Sequence, residues 1–436
     1  MTLSVAIIGS GPAGFYTADA IVKKFADVQI DVIDRLPTPF GLLRAGVAPD
    51  HQGSKKIGKV FERTAQRDNV HFIGNVEIGR DVSLAELREI YDAVVIATGA
   101  PKDRGLTVEG ADKKNVIGSS RFVGWYNSHP DFASLDVDVD VESVVIIGVG
   151  NVALDCARIL ALTPEELAAS DIAPHAEARI NAAHIKDIHV VGRRGPVEAT
   201  FTHKEVSELG ELARTVPLVA RHKIPDNADA CPPEERKGKE ANLALLRGYA
   251  DNTRDMKPIG LSLHFYVQPV EILGGERVEA VRFERTRVEP DGRCVGICEF
   301  VEIPAGLVIT CIGYQSIPLE GAPYDERRGL FRNDDGRIEP GLYCTGWAMR
   351  GPTGTIATSA PDAEAVARHI AEDVPSPGKP GAKALIGLLE ERDAKLVSYE
   401  DWQKIDAAER AAARERPSPR RKFVRIGDML NVVSKS

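Results

Sequence analysis

Two segments of the chain share a pattern that few folds allow: an apolar run, a glycine-rich turn and a helical stretch. The first is VAIIGSGPAGFYTA, which begins at Val5, and the second is VVIIGVGNVALDCA, which begins at Val144. Each is followed by a further apolar strand, so each predicts a βαβ unit. We therefore predict an α/β fold with two doubly wound, Rossmann-like halves.

Length and charge narrow the class of protein. A chain of 436 residues suits two domains with substantial cores. Its net charge of −9 argues against a nucleic-acid partner, which would favour a basic surface. No apolar run approaches the roughly 20 residues that span a bilayer, and MTLSVAIIGSG has no basic prelude of a targeting segment. We expect no membrane partner and a cytoplasmic location.

The strand and helix patterns also predict how the halves are arranged. We expect domain boundaries near residues 102 and 319, with residues 103–318 inserted between residues 1–102 and 319–436. The predicted elements are a strand at Ser4–Ile8, a helix at Gly11–Lys24, strands at Gln29–Asp34, Tyr91–Ala100 and within Gly306–Pro318, strands in LHFYVQPVEIL and VEAVRFERTRV, a helix around Asp362–His369, and tail helices joined by a basic loop.

The first glycine-rich turn, Gly9-Ser-Gly11-Pro-Ala-Gly14, fits a dinucleotide-binding loop. The first glycine allows the tight turn, the second lets backbone approach a pyrophosphate, and the third lets helix and strand pack closely. The helix N-terminus then offers free N–H groups to phosphate. Asp34 ends the next strand, where a carboxylate would hold ribose hydroxyls. Its position at the start of a chain that returns to a glycine-rich segment near its end favours FAD; an ordinary glycine-rich turn is the alternative.

The second turn, Gly148-Val-Gly150 followed by Ala153, is a related loop with a different sequel. The next strand, in HIKDIHVVGRRGP, ends on Arg193 and Arg194 instead of an acid. A carboxylate would repel a ribose 2′-phosphate, whereas guanidinium groups bind it with charge-assisted hydrogen bonds. The arginines therefore predict NADP(H), with an inserted helical stretch at TPEELAASDIAPHAEARIN lengthening the interval. A solvated basic turn is the alternative.

These residues and several longer segments resemble the adrenodoxin-reductase-like ferredoxin–NADP⁺ reductases, within the glutathione-reductase-like two-dinucleotide fold. The resemblance covers nearly the whole chain. The segments that carry it are LPTPFGLLRAGVAPDH, FIGNVEIG, GNVALDCARIL, VVGRRGP, CIGYQSIP, GWAMRGPTGTI and VSYEDWQKIDAAE.

The resemblance implies a set of cofactor contacts, in addition to the loop glycines. For FAD they are Ala13, Asp34, Leu42, Val76, Trp347, Gly354, Thr355 and Ile356. For NADPH they are Arg104, Asn151, Val152, Ala153, Leu154, Arg193, Arg194, Glu205 and Gly354. The family often has Glu at the position of Asp34, so the reach to the ribose is shorter here.

Two further features follow from the resemblance. Backbone donors of Gly351–Gly354 would face the flavin as negative charge develops on it, with Trp347 as an aromatic lid; a core tryptophan is the alternative. His51 and Asp155 resemble a catalytic His–carboxylate pair near the isoalloxazine, with a surface histidine and helix packing as the alternative.

The implied activity is hydride transfer from NADPH to FAD and single-electron transfer to a ferredoxin. The six cysteines have neither CxxC nor CxxxxC spacing, so electrons must leave for an outside acceptor, and no metal site is expected. A basic patch would attract an acidic ferredoxin, which could feed a cytochrome P450 or an iron–sulfur pathway. Its candidates are Arg236, Lys237, Lys239, Arg247 and the tail RPSPRRK. We expect a monomer.

Three other functions remain open. The chain could be an NADPH-dependent diaphorase, oxidase or monooxygenase that reduces quinones or oxygen. It could be the electron-input subunit of a larger complex, although such subunits usually bring cysteine clusters. It could also sense nucleotides without catalysis.

Overall fold

The structure, a computed structural model, describes residues 2–434. Contacts divide the chain into two compact units. The first unit is formed by the chain up to Lys102, by Asn127–Pro130 and by the chain from Gly313 onward. The second unit comprises Asp103–Tyr126 and Asp131–Ile312.

The strands and α-helices are numbered in chain order. The strands are β1 (Leu3–Ile8), β2 (Val28–Asp34), β3 (Val70–Gly74), β4 (Ala93–Ile96), β5 (Lys102–Asp103), β6 (Val116–Gly118), β7 (Ser143–Ile147), β8 (Asp187–Gly192), β9 (Thr215–Val219), β10 (Ile259–Phe265), β11 (Val267–Leu273), β12 (Ala280–Val288), β13 (Cys294–Pro304), β14 (Leu307–Thr310), β15 (Tyr314–Gln315), β16 (Tyr324–Asp325), β17 (Leu330–Phe331), β18 (Arg337–Glu339) and β19 (Leu342–Cys344). The helices are α1 (Pro12–Lys24), α2 (Leu42–Ala45), α3 (Gln52–Lys55), α4 (Gly58–Ala65), α5 (Leu84–Ile90), α6 (Ser119–Tyr126), α7 (Asn151–Ala161), α8 (Pro164–Ala168), α9 (Pro174–Ala182), α10 (His203–Glu211), α11 (Pro233–Tyr249), α12 (Trp347–Arg350), α13 (Ser359–Asp373), α14 (Ala382–Glu391), α15 (Tyr399–Ala411) and α16 (Ile426–Ser434).

The first unit is built on a sheet of strand order β18-β19-β4-β1-β2-β3, parallel except for β18. Every residue of β1 is buried, as expected for a parallel strand covered on both faces. On one face, Val5 and Ile7 pack with Ile21 of α1 and Ile370 of α13. α1 begins at Pro12 directly after Gly11, because proline needs no N–H partner in the first helical turn.

The second unit has a parallel sheet of order β6-β14-β7-β8-β10-β9. A separate antiparallel sheet, β11-β12-β13, packs on one face of it through Val145 and Val191 against Val281 and Phe283. β7 and β8 are apolar and buried in their middles, which is why apolar runs in the sequence predict them.

Most predicted elements are confirmed, including both βαβ units, the helical stretch after α7 and the helical tail. Three predicted strands were wrong in extent. The strand expected in LHFYVQPVEIL is divided at Tyr266, with φ +60°, between β10 and β11, which belong to different sheets. The strand expected at Tyr91–Ala100 is only β4, and the chain then turns through Gly99 with φ +67°. The strand expected within Gly306–Pro318 is split into β14 and β15 by Gly313, with φ +105°.

The helix predicted around Asp362–His369 extends in both directions to form α13. Within the described residues, no helix is both long enough and apolar enough to cross a membrane.

Candidate functional site

The first glycine-rich loop joins β1 to α1, and two of its glycines are required by the protein's own packing. A Cβ built at Gly9, where φ is +110°, would lie 2.5 Å from the carbonyl oxygen of Ala97. A Cβ at Gly14 would lie 2.1 Å from the carbonyl oxygen of Gly9. A Cβ at Gly11 would meet no heavy atom closer than 4.0 Å. The middle position therefore leaves the open cradle at a helix N-terminus that a pyrophosphate needs.

Asp34 lies at the end of β2, and its carboxylate holds the same loop. One oxygen accepts hydrogen bonds from the Ser10 N–H at 2.9 Å and the Ser10 hydroxyl at 2.6 Å. The other accepts from the Leu36 N–H at 2.9 Å. These contacts fix the loop, and the predicted contact of Asp34 with a ribose stays a prediction.

The other residues predicted to contact FAD lie in the same unit, and several follow the carboxyl ends of its parallel strands. Val76 comes shortly after β3, is buried, and donates its N–H to the Asp34 carbonyl at 2.9 Å. Ala13 lies in the first turn of α1, where a Cβ at Gly346, after β19, would come within 2.5 Å of its Cβ. Leu42 begins α2 and is 45% exposed. Ligands of doubly wound sheets bind beyond these strand ends.

The α12–α13 loop, Gly351–Ile356, also belongs to the first unit and leads to the N-terminal end of α13. The carbonyl oxygen of Thr353 accepts hydrogen bonds from the Trp347 indole at 3.1 Å and from Arg350 Nε at 3.2 Å. Arg350 also forms an ion pair with Asp362 in the first turn of α13. The Trp347 ring stacks on Tyr314 with centroids 6.0 Å apart. Sequence analysis missed Arg350 and Asp362 as supports of this loop, although Arg350 adjoins the quoted GPTG.

The α2 turn that carries Leu42 is held by a buried ion pair. Both guanidinium NH₂ groups of Arg44 bond the carboxylate of Glu409, at 2.8 and 2.5 Å, and the Glu409 side chain is completely buried. Arg44 also lies over the ring of Trp402, 5.2 Å from its centroid. The α15 segment therefore supports a turn next to the first loop, a contact between residues 365 positions apart that sequence could not predict.

The second glycine-rich loop joins β7 to α7 in the second unit. A Cβ at Gly148, where φ is +137°, would lie 2.2 Å from the Cys311 carbonyl oxygen. Gly150 caps α7, and the completely buried Ala153 takes the place of the third glycine. The Asn151 side chain accepts a hydrogen bond from the Thr202 N–H at 2.8 Å. Val152 and Leu154, the other predicted contacts on α7, lie in its first turn.

Arg193 and Arg194 directly follow β8. Arg193 is exposed and Arg194 is half-buried. Within the described part of the chain, neither guanidinium forms an ion pair, and the buried Nε of Arg194 has no hydrogen-bond partner. Two adjacent unpaired cations, one with a buried donor, fit an external anion such as a 2′-phosphate.

Asp155, predicted to be catalytic, lies on α7 and forms an ion pair with Arg158, which also lies 3.4 Å from Glu208. The ion pair favours the carboxylate, but burial and the nearby Glu205 and Glu208 prevail and raise the pKa of Asp155 to about 8. An acid with that pKa can exchange protons near neutral pH.

The structure shows where the remaining predicted residues lie, and their roles stay predictions. His51 caps α3 in the first unit, whereas Asp155 belongs to the second, and their pairing stays a prediction. Glu205 lies in the first turn of α10 and contacts the Thr202 hydroxyl. Arg104 follows β5 and is half-buried.

Comparisons with known proteins agree with this geometry. Residues 3–208 match the family described as pyridine nucleotide-disulphide oxidoreductase. The chain is 40% identical over 460 residues to the mitochondrial NADPH:adrenodoxin oxidoreductase of Arabidopsis thaliana, covering 98% of this chain and 95% of that protein. It is 37% identical over 449 residues to the NADPH-ferredoxin reductase FprA of Mycobacterium tuberculosis, covering 98% of each. The structure of that FprA in complex with NADPH matches over 100% of both chains, with 37% identity and a TM-score of 0.95.

Two doubly wound units, one inserted into the other and each with a glycine-rich loop, define a pyridine-nucleotide-dependent flavoprotein oxidoreductase. Within that class, the chain belongs to the adrenodoxin-reductase-like family of NADPH-ferredoxin reductases. The predicted family and fold class are thereby confirmed.

Proposed function

We propose that this protein is a ferredoxin–NADP⁺ reductase: it takes electrons from NADPH and passes them, through FAD, to a ferredoxin-type iron–sulfur protein. Its cofactors are FAD, in the first unit, and NADP(H), in the second. The observation that carries the proposal is that Arg193 and Arg194, after the second of two nucleotide-binding loops, form no ion pair with any residue in the range 2–434. The balanced reaction converts one NADPH and two oxidised ferredoxins into NADP⁺, two reduced ferredoxins and a proton.

The residues of the first unit hold FAD. When bound, FAD accepts a hydride from NADPH and releases electrons one at a time. Gly11 and the N-terminus of α1 would receive its pyrophosphate, and Asp34 keeps that loop in place through Ser10. Trp347 and Arg350 hold Thr353, which directly precedes the Gly354–Ile356 segment, and the N-terminal dipole of α13 favours negative charge near that segment.

The residues of the second unit orient NADPH. Gly150 and the N-terminus of α7 receive its pyrophosphate, while Arg193 and Arg194 bind the 2′-phosphate. Arg104, Asn151 and Glu205 complete its surroundings. We also propose catalytic roles for Asp155 in this unit and for His51 in the first unit.

The cysteines support an external acceptor. The first unit contains one cysteine, Cys344, which is buried, and burial raises the pKa of its thiol to about 12. A single unreactive thiol cannot form a disulfide within that unit. Electrons are therefore not passed to a cysteine pair within this unit, which agrees with the proposed external acceptor.

The acceptor docks through one of two basic surfaces. On α11, Lys239 bonds the Ala199 carbonyl oxygen, Arg236 lies 3.5 Å from Asp229, and Arg247 bonds the carbonyl oxygens of residues 225 and 226. In the predicted tail segment RPSPRRK, Lys422 is buried and Arg420 forms an ion pair with Asp406, so these two residues are not available as a free basic surface. Arg421 of that segment is exposed and forms no ion pair within residues 2–434. The same holds for Arg414 and Arg425 on either side of it in the sequence, and these three form the tail surface that we propose. We further propose that the protein works as a cytoplasmic monomer.

Charge reversal distinguishes these surfaces. We compare Arg236→Glu/Lys237→Glu with Arg414→Glu/Arg421→Glu, using a ferredoxin at low and high salt. The surface that docks ferredoxin should show about a tenfold rise in the KM for ferredoxin at low salt, with flavin reduction by NADPH unchanged. If neither pair of substitutions changes that KM, docking does not depend on these charges.

The function is tested by anaerobic mixing of the purified yellow protein with NADPH and with NADH. NADPH should bleach the flavin band within seconds, whereas NADH should be much slower. Cytochrome c reduction should then require a ferredoxin from a test panel. Fast turnover with dyes or oxygen and none with any ferredoxin would instead identify a diaphorase or oxidase, and a colourless protein that cannot take up FAD would contradict the proposal.

A further inference from the structure

The turn that carries Arg193 and Arg194 is held by the antiparallel sheet of the second unit. The carbonyl oxygen of Arg193 accepts a hydrogen bond from the Thr286 hydroxyl at 2.6 Å. The same oxygen accepts a second one from the Cys294 thiol at 2.9 Å. A carbonyl oxygen has two lone pairs, so both acceptor positions of Arg193 are occupied by side chains of β12 and β13.

The next carbonyl along the turn is held as well. The oxygen of Arg194 accepts from the Tyr266 N–H at 3.1 Å, and the Tyr266 oxygen accepts from the Thr286 N–H at 2.9 Å. Tyr266 has a φ of +60°, which a bulky residue adopts only when its surroundings impose it. Thr286 therefore supports both arginines, one through its side chain and the other through Tyr266.

The two supporting residues lie where the ladder between β12 and β13 begins. Cys294 is the first residue of β13 and pairs with Val288, and Thr286 pairs with Gly296. Thr286 is buried, so its hydroxyl has little access to water and needs this partner. Both donors therefore belong to paired residues of this ladder, which shifts register between Glu284 and Thr286.

Fixing the backbone matters because the guanidinium groups themselves have no ion pair among the described residues. An arginine that starts from a fixed Cα loses less conformational freedom when it binds an anion, and two arginines so fixed can bind one phosphate together. A loosened turn would weaken binding of the 2′-phosphate without affecting the adenosine moiety.

We propose that Thr286 and Cys294 are positioning residues for NADP(H) selectivity, which hold the Arg193–Arg194 turn in the geometry that binds a 2′-phosphate. The inference rests on the proposed function, because it assumes that these arginines bind NADP(H). It assigns the antiparallel sheet a role in choosing between the two pyridine nucleotides.

The test measures binding of 2′,5′-ADP and of 5′-AMP to the FAD-loaded protein by calorimetry. The two ligands differ only in the 2′-phosphate. Thr286→Val removes the hydroxyl at similar volume, and we expect it to weaken 2′,5′-ADP binding about fivefold, with 5′-AMP binding unchanged. Cys294→Ala should weaken 2′,5′-ADP binding about threefold, because a thiol is a weaker hydrogen-bond donor than a hydroxyl.

Conservative and distant substitutions serve as controls. Thr286→Ser keeps the hydroxyl and should stay within about twofold of the wild type. Cys298→Ala changes an exposed cysteine of the same strand that forms no bond to Arg193, and it should have no effect. Thermal unfolding of each variant shows whether the sheet has remained folded.

The outcomes separate this inference from the function on which it rests. A wild-type protein that binds both ligands equally would remove the NADP(H) assignment and this inference with it. A wild type that prefers 2′,5′-ADP, together with a Thr286→Val variant that keeps the full preference, would overturn the inference alone. Equal weakening of both ligands by Thr286→Val would also overturn it, since that result indicates general damage.

Discussion

The two nucleotide-binding loops have the same construction, but they differ in whether the charged side chains after the next strand already have partners within the protein. In the first unit, Asp34 accepts three hydrogen bonds from Ser10 and Leu36, so its charge is already used to hold the loop. In the second unit, Arg193 and Arg194 have backbones held by neighbours and guanidinium groups with no ion pair in the described chain. A loop whose charged side chain is already hydrogen-bonded within the protein suits a cofactor that stays bound. Charged side chains without a partner in the protein suit a ligand that binds and leaves in every turnover.

Substitution at the third glycine position of the first nucleotide-binding loop, Gly14, should have the largest effect on flavin content and stability. Gly14→Ala would place a Cβ 2.1 Å from the Gly9 carbonyl oxygen, so we expect loss of bound flavin and destabilisation of about 3 kcal/mol. The equivalent position in the second loop is already Ala153, and Ala153→Gly should cost only about 1 kcal/mol. Flavin absorbance and denaturant unfolding measure both. Normal flavin content in Gly14→Ala would show that the close packing can relax.

The arginine pair should give the next largest effect. Arg193→Ala/Arg194→Ala removes two charge-assisted contacts, so the KM for NADPH should rise about a hundredfold. The KM for NADH should hardly change. Arg293→Ala, which removes an exposed guanidinium paired with Asp291, is the control. A parallel loss with NADH would place these arginines outside the 2′-phosphate site.

Loosening the first loop should have a moderate effect. Asp34→Ala leaves the Ser10 and Leu36 N–H groups without their partner, and we expect FAD to bind about tenfold more weakly to the apoprotein. Ser10→Ala removes only the hydroxyl contact to Asp34 and keeps the backbone contacts, so it should weaken FAD binding about threefold. Titration of apoprotein with FAD gives both values. If both variants bind FAD like the wild type, the loop does not depend on Asp34.

The remaining effect concerns how the stability of the second unit depends on pH. Asp155 has a pKa raised to about 8, mainly by burial, so the folded protein keeps a proton that an unfolded carboxyl loses near pH 4. Unfolding then releases a proton between about pH 4 and pH 8, and the contribution of Asp155 to stability falls as pH rises through that window.

Asp155→Asn should remove this slope, as measured by denaturant unfolding at about pH 5 and pH 8. Asp81→Asn is the control, because Arg80 lowers the pKa of Asp81 and no titration of it falls in that window. Parallel stability curves for the wild type and Asp155→Asn would show that Asp155 stays ionised beside Arg158.

Sequence predicted what local patterns determine. The apolar runs and loop glycines located β1 and α1 within about a residue and correctly predicted a strand, turn and helix where β7 and α7 lie, because their burial and turns are local requirements. They did not predict β13, whose exposed middle lacks apolar alternation, or the highly charged α11. The supports of the sites were also missed, because Thr286 and Arg193 are 93 residues apart and Arg44 and Glu409 are 365 apart.

The discontinuous first unit has a consequence for biosynthesis. Its central sheet needs β19, and its helical cover needs α13, both of which follow the whole second unit along the chain. During translation, the second unit is therefore complete before β19, the sheet neighbour of β4, has been synthesised. Because domains fold as units during translation, we expect the NADP-binding half to form first and flavin to be captured only near the end of synthesis.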